Sequence, residues 1–462
     1  MAIMKIIVLN GSPKGELSVT MQYVHYLQKV FPEHEFRFIA VAQKIKKLEA
    51  DKNAFLEVIG EIATADAVLW AFPLYYLLVA SQYKRFIELI FENNSTAVFK
   101  GKYAAVLTTS INFYDHTAHN YMNAVCDDLD MNFIASYSAE MNDLFKSKER
   151  ERFKKFGEVF LQAIRNKIPA VKSNKPLITP ALVYEPAKLN IEETGGKKVL
   201  IVVDSLETSS NLRRMLESLQ SAFLPTPEIV QIKDIDIKGG CLGCLQCGMD
   251  NVCIYQGKDG FIDFFNIKVR GADILFFAGL IHDRYLSSIW KCFFDRSFFR
   301  GHIPAFEGKQ LGFVISGPFN QIANLQQIME AYVEMQHGNL IGFVSDDVGN
   351  SEEINAGLQR MAELAAICSK NNYVKPSSFL SIGGTKIFRD AVWSRLRPVF
   401  QADHRYYKKH GHYNFPHKNY KWRLINNALV MLTKIPVIRR EFTKKIKEEM
   451  VKPFTRALAK LK

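Results

Sequence analysis

The sequence predicts an α/β fold with two tandem, doubly wound, five-stranded parallel sheets and a basic C-terminal extension. Three observations predict it. Apolar β-like runs alternate with helical stretches from the first residues onward. Those runs are continuously apolar, as from Ala67 to Phe72, which suits strands covered by helices on both faces. A pattern also returns: ADAVLWAFPLYYLLVASQYKRFIELI from Ala65 recurs as ADILFFAGLIHDRYLSSIWKCFFDRS from Ala272, an offset of 207 residues. Ala71/Ala278, Ser81/Ser288, Lys84/Lys291 and Phe86/Phe293 stay in register across it.

In the first copy, strands are expected near 4–9, 36–40, 66–71, 103–109 and 132–137. Helices are expected near 19–30, 53–64, 80–92, 117–129 and 147–165. Strand–helix alternation with right-handed crossovers gives a doubly wound sheet. Residues 171–196 hold three prolines and two glycines and read as a linker. The second copy spans 197–375. Its first strand, KVLIVVD from Lys198, lies only 193 residues after KIIVLN at Lys5. The offset grows by 14 residues after that strand, about the length of a cysteine-rich insertion. Gly101-Lys102 and Gly308-Lys309 then precede matching strands. Two copies of one unit explain these offsets. Residues 1–170 are thus the first domain, and 376–462 an extension with no counterpart in it.

The chain of 462 residues carries a formal charge of +13, unevenly placed. Lys421 to Lys462 holds 12 Lys/Arg against three Glu, so the other residues carry only +4. The body therefore has no nucleic-acid footprint. No basic-then-apolar leader precedes the first strand, and no apolar run reaches the roughly 20 residues that span a bilayer. A cytoplasmic protein is expected. The basic tail suits an anionic membrane surface, an acidic electron-transfer protein, or a solvated helix pair closing the domain. Residues 404–422 hold His404, His410, His412 and His417 at no familiar metal spacing, and read as an aromatic flap near the site.

The chemistry lies in loops beyond the strands' carboxyl ends, where open parallel sheets bind ligands. Asn10-Gly11-Ser12-Pro13-Lys14-Gly15-Glu16-Leu17-Ser18-Val19-Thr20 joins the first strand to the first helix. That helix N-terminus offers unpaired N–H groups and positive dipole charge to an anion. Ser12, Ser18 and Thr20 add hydroxyls, while Gly11 and Gly15 permit close approach. A simple turn with a Ser or Thr helix cap is the bland alternative. Phe72-Pro73-Leu74-Tyr75-Tyr76 follows the third strand. Thr108-Thr109-Ser110-Ile111-Asn112-Phe113-Tyr114-Asp115-His116-Thr117-Ala118-His119-Asn120 follows the fourth.

Together these three loops resemble those of the flavodoxin-like NAD(P)H-dependent FMN reductases, a broad family that includes quinone reductases and iron–sulfur flavoproteins. The resemblance is clearest over 4–125 and 198–330. It implies FMN as cofactor and NAD(P)H as cosubstrate. It places the phosphate against Ser12, Lys14, Ser18, Val19 and Thr20, and the ring beside Pro73, Leu74, Tyr75 and Tyr76. Thr109, Ser110, Asn112, Phe113, Tyr114 and His116 would complete the site. Asn112 and His116 are the candidate donors to the pyrimidine edge of the ring. Ordinary packing for the tyrosines, and capping or surface duty for Asp115, His116 and His119, stand as alternatives.

Cys241, Cys244, Cys247 and Cys253 form C-x2-C-x2-C-x5-C, after the second strand of the second copy. The pattern is similar to the cysteine motif of iron–sulfur flavoproteins, which implies a [4Fe–4S] cluster. Free or redox-active thiols shaping the pocket, and structural zinc, are the other readings. Cys126, Cys292 and Cys368 lie in helical patterns and read as buried small hydrophobes. The second copy's phosphate loop, Asp204 to Leu212, carries Asp204 and Glu207 where a phosphate would sit. This copy therefore reads at least as well as a wall of the first site as it does as a second FMN domain. The expected function is an FMN-dependent oxidoreductase moving electrons from NAD(P)H or a reduced carrier to a quinone, flavin, aromatic acceptor or cysteine-bound cluster. An electron-transfer flavoprotein and a catalytically silent pseudo-dimer are the rivals. A covalent pseudo-dimer or a homo-oligomer is the expected assembly.

Overall fold

The computed structural model describes residues 3–301, 303–415 and 420–460, apart from the side chain of Trp422. His417 lies outside the described residues. The chain divides into two units, Met1–Tyr406 and Tyr407–Lys462.

The first unit opens with β1 (Lys5–Asn10), α1 (Val19–Val30), β2 (Glu35–Ile39), α2 (Val41–Ala50), α3 (Lys52–Ala63), β3 (Ala67–Pro73), α4 (Ser81–Glu92), β4 (Tyr103–Ser110), α5 (Asp115–Asp128), β5 (Asn132–Glu140) and α6 (Ser147–Arg165). The strands pair in parallel in the order β2-β1-β3-β4-β5. Leu9, for example, lies between Ile39 and Trp70. Strands β1 and β3 are buried almost throughout, as a sheet covered on both faces requires. Helix α2 was not expected from the sequence. It starts one residue after β2 with no Gly or Pro between, yet its buried Val41, Ile45 and Leu48 have helical spacing.

The next stretch contains a short β6 (Glu192–Glu193), then β7 (Val199–Val203), α7 (Ser210–Ser221), β8 (Phe223–Leu224) and β9 (Glu228–Gln231). It continues with α8 (Cys247–Asp250), α9 (Phe261–Asp263), β10 (Ile274–Leu280), α10 (Ser288–Gly301), β11 (Gln310–Ser316), α11 (Ala323–Met335), β12 (Asn339–Ser345) and α12 (Ser351–Lys370). The second five-stranded sheet has the order β9-β7-β10-β11-β12, the same winding as the first. The fold is therefore two flavodoxin-like parallel sheets, as expected. Cys126, Cys292 and Cys368 all fall on helices. Of these, Cys126 alone is fully buried; the other two residues are partly exposed.

Residues 171–191 have no regular structure, yet they are stapled down on both sides. The Asp127 carboxylate accepts from the Ser173 and Asn174 N–H groups. Tyr184 is buried and donates to Asn355 Oδ1 at 2.5 Å. Helix α13 (Phe379–Ala391) and α14 (Gln401–Lys409) follow, and then α15 (Tyr420–Leu432) and α16 (Pro436–Leu458) in the second unit.

The two sheets are joined through α4 and α10, and the contact is reciprocal. Helix α4 has Ala80 as its cap residue, which offers no side-chain acceptor. The Asp295 carboxylate of α10 supplies one, taking the Ser81 N–H at 2.7 Å. In return Glu88 of α4 takes the Ser288 N–H of α10 at 2.6 Å and its hydroxyl at 2.5 Å. Each carboxylate also pairs with the lysine one turn earlier on its own helix: Lys84 with Glu88 at 2.7 Å, and Lys291 with Asp295. Lys84 reaches Asp283 as well, at 3.1 Å. All four paired residues are buried. A carboxylate at a helix N-terminus satisfies orphan N–H groups and meets the positive end of the dipole. A buried charge persists only when so partnered.

Burial by itself would push the Glu88 carboxyl up. Lys84 and the Ser288 hydroxyl overcome it and hold the group at about 2, below its ordinary 4.5. A depressed carboxylate stabilises the fold fully above its unfolded value, and that contribution is lost as pH falls through the folded value. Glu88→Gln is therefore expected to cost about 3 kcal/mol at neutral pH, because it leaves Lys84 short of a partner. Urea titrations should show the loss at pH 7 and a shallower decline between about pH 4.5 and pH 2 than in the parent.

Candidate functional site

The loop after β1 is built as an anion cradle. Ser18 caps α1, its hydroxyl accepting the Met21 N–H at 3.3 Å. The Val19 and Thr20 amides belong to the first turn of α1, where N–H groups have no intrahelical partner. Gly15 adopts φ +59°, and a Cβ there would overlap the Gln43 side chain of α2. Gly11 lies against the Tyr83 ring and Phe72, so a Cβ there would come within 2.6 Å of Tyr83. Asn10 Oδ1 accepts the Ser12 N–H at 2.9 Å, and Ser12 Oγ accepts the Lys14 N–H at 3.2 Å. The Asn10 amide nitrogen is buried with no partner among the described residues. An orphaned buried donor costs free energy unless something arrives to accept from it.

The other two loops meet this cradle. Thr20 and Thr109 share a hydrogen bond of 2.6 Å between α1 and the end of β4. The Leu74 N–H donates to Thr109 O at 3.1 Å, joining the loop after β3 to the loop after β4. Ser12, Ser18, Thr20 and Thr109 are buried, while Lys14 and Val19 are exposed. Pro73, Leu74 and Tyr75 are half-buried around them. The chain reverses over Tyr75–Leu78 with two hydrogen bonds, and Tyr76 and Leu77 take left-handed conformations that branched or bulky residues rarely adopt. The buried Lys291 of α10 donates to Tyr75 O at 3.0 Å and so fixes this turn from the second domain.

Not every expected residue faces the cradle. Tyr76 is committed to the domain junction: its hydroxyl accepts from Gln336 Nε2 at 3.1 Å, and its ring sits edge-on to Tyr332 and Phe298. Phe113 and Tyr114 are held by α13. Phe113 packs on Phe388, and the Tyr114 hydroxyl donates to Leu380 O at 2.5 Å. Asn112 and His116 are exposed, with His116 stacked on Tyr114. Ser110 Oγ accepts the Asn112 N–H at 2.9 Å and shapes the loop. His119 is turned back to Thr108, 2.8 Å away. A cavity of about 500 Å³ between α5, β5 and α11 is lined by His119 and Asn120 from the third segment, and by no residue of 10–20, 72–76 or 109–116.

The cysteine loop lies over the amino-terminal mouth. Gln82 Nε2 donates to Cys241 O at 3.0 Å, and Lys46 Nζ to Lys238 O at 2.5 Å. Gly240 sits against Ser81, and a Cβ on Gly243 would overlap the Tyr75 hydroxyl and come within 3.1 Å of Lys14 Cε. Arg296 anchors the base of the loop through Gly239 O at 2.8 Å and both Asp259 oxygens, with its guanidinium over the Tyr255 ring. Asp259 thus serves the loop's anchorage. The loop's far end meets the segment after α13. Gly248 touches the Val399 carbonyl, and Arg405 donates to Met249 O. Sequence reasoning missed Asn10, Gln43, Lys46 and Gln82. Only Asn10 had a signal, as the first residue of the Asn-Gly-Ser turn.

The four thiols of that loop do not fit a metal. Among the described residues no group of three or more His, Cys, Asp or Glu side chains could hold one. Burial pushes the Cys241 thiol up to about 12 and the Cys247 thiol higher still. Cys244 is exposed. Burial, and then the nearby Cys241 and Asp295, also push the Tyr75 hydroxyl up, so it stays a neutral donor.

The equivalent mouth of the second sheet is filled by the chain itself. Buried Asp204 accepts the Ser205 N–H at 2.9 Å and the Ser287 hydroxyl at 2.7 Å. Asp346 takes the Ser316 hydroxyl and the Gly317 N–H, both at 2.7 Å. Ser209 is bonded to Ser316. Two carboxylates thus bring negative charge to this mouth and hold Ser205, Ser287, Ser316 and Gly317.

Known proteins resemble parts of the chain. Solved structures with a resembling fold include an NADH:FMN oxidoreductase (16% identity over 35% of this chain and 89% of that one, TM-score 0.30). The flavoenzyme NAD(P)H:(acceptor) oxidoreductase FerB from Paracoccus denitrificans is another (21%, 36% and 98%, TM-score 0.30). A third is an FMN-dependent NADH-azoreductase from Bacillus anthracis in complex with FMN (15%, 36% and 99%, TM-score 0.26). Likeness at this level carries no functional argument. No curated protein matches the chain. The sequence model described as NADPH-dependent FMN reductase matches residues 4–143, which end with the first sheet. That amino-terminal segment, and not the whole chain, is similar to the NADPH-dependent FMN reductase family.

Proposed function

We propose that the chain is an FMN-dependent oxidoreductase with one working flavin site, in the amino-terminal domain, roofed by the cysteine loop of the second. One observation carries this reading. A buried amide donor without a partner, Asn10 Nδ2, lies in a loop of buried hydroxyls and helix-terminal N–H groups, while the second domain's equivalent donors are taken by Asp204 and Asp346. These residues fit a dianionic phosphate ester in the first domain and oppose one in the second.

FMN, when bound, supplies the capacity to accept and release electrons. The chain's own residues do the rest. Ser12, Ser18, Thr20 and the α1 amides bind the phosphate. Tyr75, kept neutral and braced by Lys291, edges the ring, and the Cys241–Cys247 loop limits water above it. The donor is NAD(P)H and the acceptor a small molecule such as a quinone, flavin or aromatic compound. No step is routed through a [4Fe–4S] cluster. The tandem sheets read as a duplicated unit in which the second copy has become a structural partner, a covalent pseudo-dimer, and the protein as cytoplasmic.

An electron carrier without its own substrate is the second reading. Anaerobic mixing with NADPH and with NADH separates the two, since rapid bleaching of bound flavin belongs to the enzyme alone.

Replacing Ser12 and Thr20 together by Ala should weaken FMN binding by at least about tenfold, the scale of two lost hydrogen bonds to a charged group. Flavin fluorescence titration reads it, and unchanged affinity would remove the phosphate assignment. Gly243→Ala should displace the roof without touching the cradle. It is expected to cost about 1–2 kcal/mol of stability from its left-handed backbone and the Tyr75 overlap. Limited proteolysis should then cut near Cys244 sooner than in the parent, while FMN binding persists.

A further inference from the structure

The carboxy-terminal unit is built unlike the body. Helix α16 runs 23 residues and has no buried residue. Every fourth position on it is large and apolar: Ile438, Phe442, Ile446, Met450, Phe454 and Leu458. The last three are 66%, 68% and 66% exposed. On α15, Leu424 and Met431 are 71% and 64% exposed. A solvated helix pair would turn such residues inward, and an exposed apolar patch of this kind marks an interaction surface.

The charge around this surface has one sign. Lys421 to Lys462 carries 12 Lys/Arg and three Glu, and two of those Glu are paired locally, Glu441 with Lys444 and Glu449 with Lys452. The cations are Lys421 and Arg423 at the start of α15, and along α16 they run from Arg439 to Arg456. No helix among the described residues is long and apolar enough to cross a bilayer. The feature is therefore a pair of basic helices that expose large apolar side chains without spanning a bilayer.

We infer that α15 and α16 dock the protein on an anionic phospholipid surface, apolar side chains entering the headgroup–acyl boundary and lysines reaching the phosphates. Charge complementarity selects this occupant. A lattice of headgroups matches cations distributed over the whole length, and each basic residue near such a surface adds to binding. Long lysine stems allow their ammonium groups to stay in water while the stems lie on the apolar layer. A compact acidic patch on a protein would meet only part of the charge and leave the apolar row uncovered. The inference is independent of the flavin reading, because it uses none of the flavin-site residues.

The test is sedimentation of the full chain with vesicles of phosphatidylcholine alone and with vesicles carrying about a third phosphatidylglycerol. Partitioning into the anionic vesicles is expected to be at least about tenfold stronger, and to weaken as salt is raised. Met450→Asp with Phe454→Asp should reduce binding to anionic vesicles about tenfold or more by removing apolar insertion. Lys444→Glu with Lys445→Glu should do so through charge while keeping the apolar row. Circular dichroism confirms that helix content is retained in both variants. Equal partitioning into neutral and anionic vesicles, no pelleting with either, or unaltered binding by both variants would overturn the inference. So would capture by an acidic soluble protein with no vesicle binding.

Discussion

Helices α4 and α10 each lend a carboxylate to the other's first turn, and this exchange is the constraint on which the remaining architecture depends. Ser81, Lys84 and Glu88 do on one helix what Ser288, Lys291 and Asp295 do on the other, at the same 207-residue offset. Desolvating four charges is costly, and only reciprocal pairing offsets it. The geometry admits little sliding, because a shift along either helix would strand an acid and a lysine together. The two sheets are consequently held in one register, and structures at their edges inherit that precision.

The loops of the candidate site are the first beneficiaries. Lys291 pairs with Asp295 at the junction and also grips the Tyr75 carbonyl at the mouth. Ser81, capped by Asp295, lies under Gly240 of the cysteine loop. The junction therefore positions the ring-side turn and its roof together. Arg296, on the same helix, fastens the base of the roof through Asp259 and Gly239.

Much of this was legible in the residues. Continuous apolar runs revealed both sheets, because strands covered on two faces have no polar alternation to blur them. The repeat revealed Ser81/Ser288 and Lys84/Lys291, but not that their partners cross between copies, since pairing in space leaves no mark on spacing. Asn10 to Thr20 read as an anion loop because local backbone chemistry suffices there. Tyr76, Phe113 and Tyr114 looked equally suited to a ring, and the structure gives them to Gln336, Phe388 and Leu380 instead; which neighbour an aromatic meets is decided by tertiary packing. The cysteine spacing suggested a cluster, yet spacing alone does not fix where thiols point or how deeply they lie. Helix α2 escaped notice because nothing punctuates the chain at Ala40.

Crystals of the protein equilibrated with FMN test the central claim most directly. One flavin per chain is expected, its phosphate among Ser12, Ser18 and Thr20 and its ring edged by Tyr75, with the Asp204–Leu212 loop empty. Density for flavin at that second loop, or an unoccupied amino-terminal cradle at saturating FMN, would contradict it.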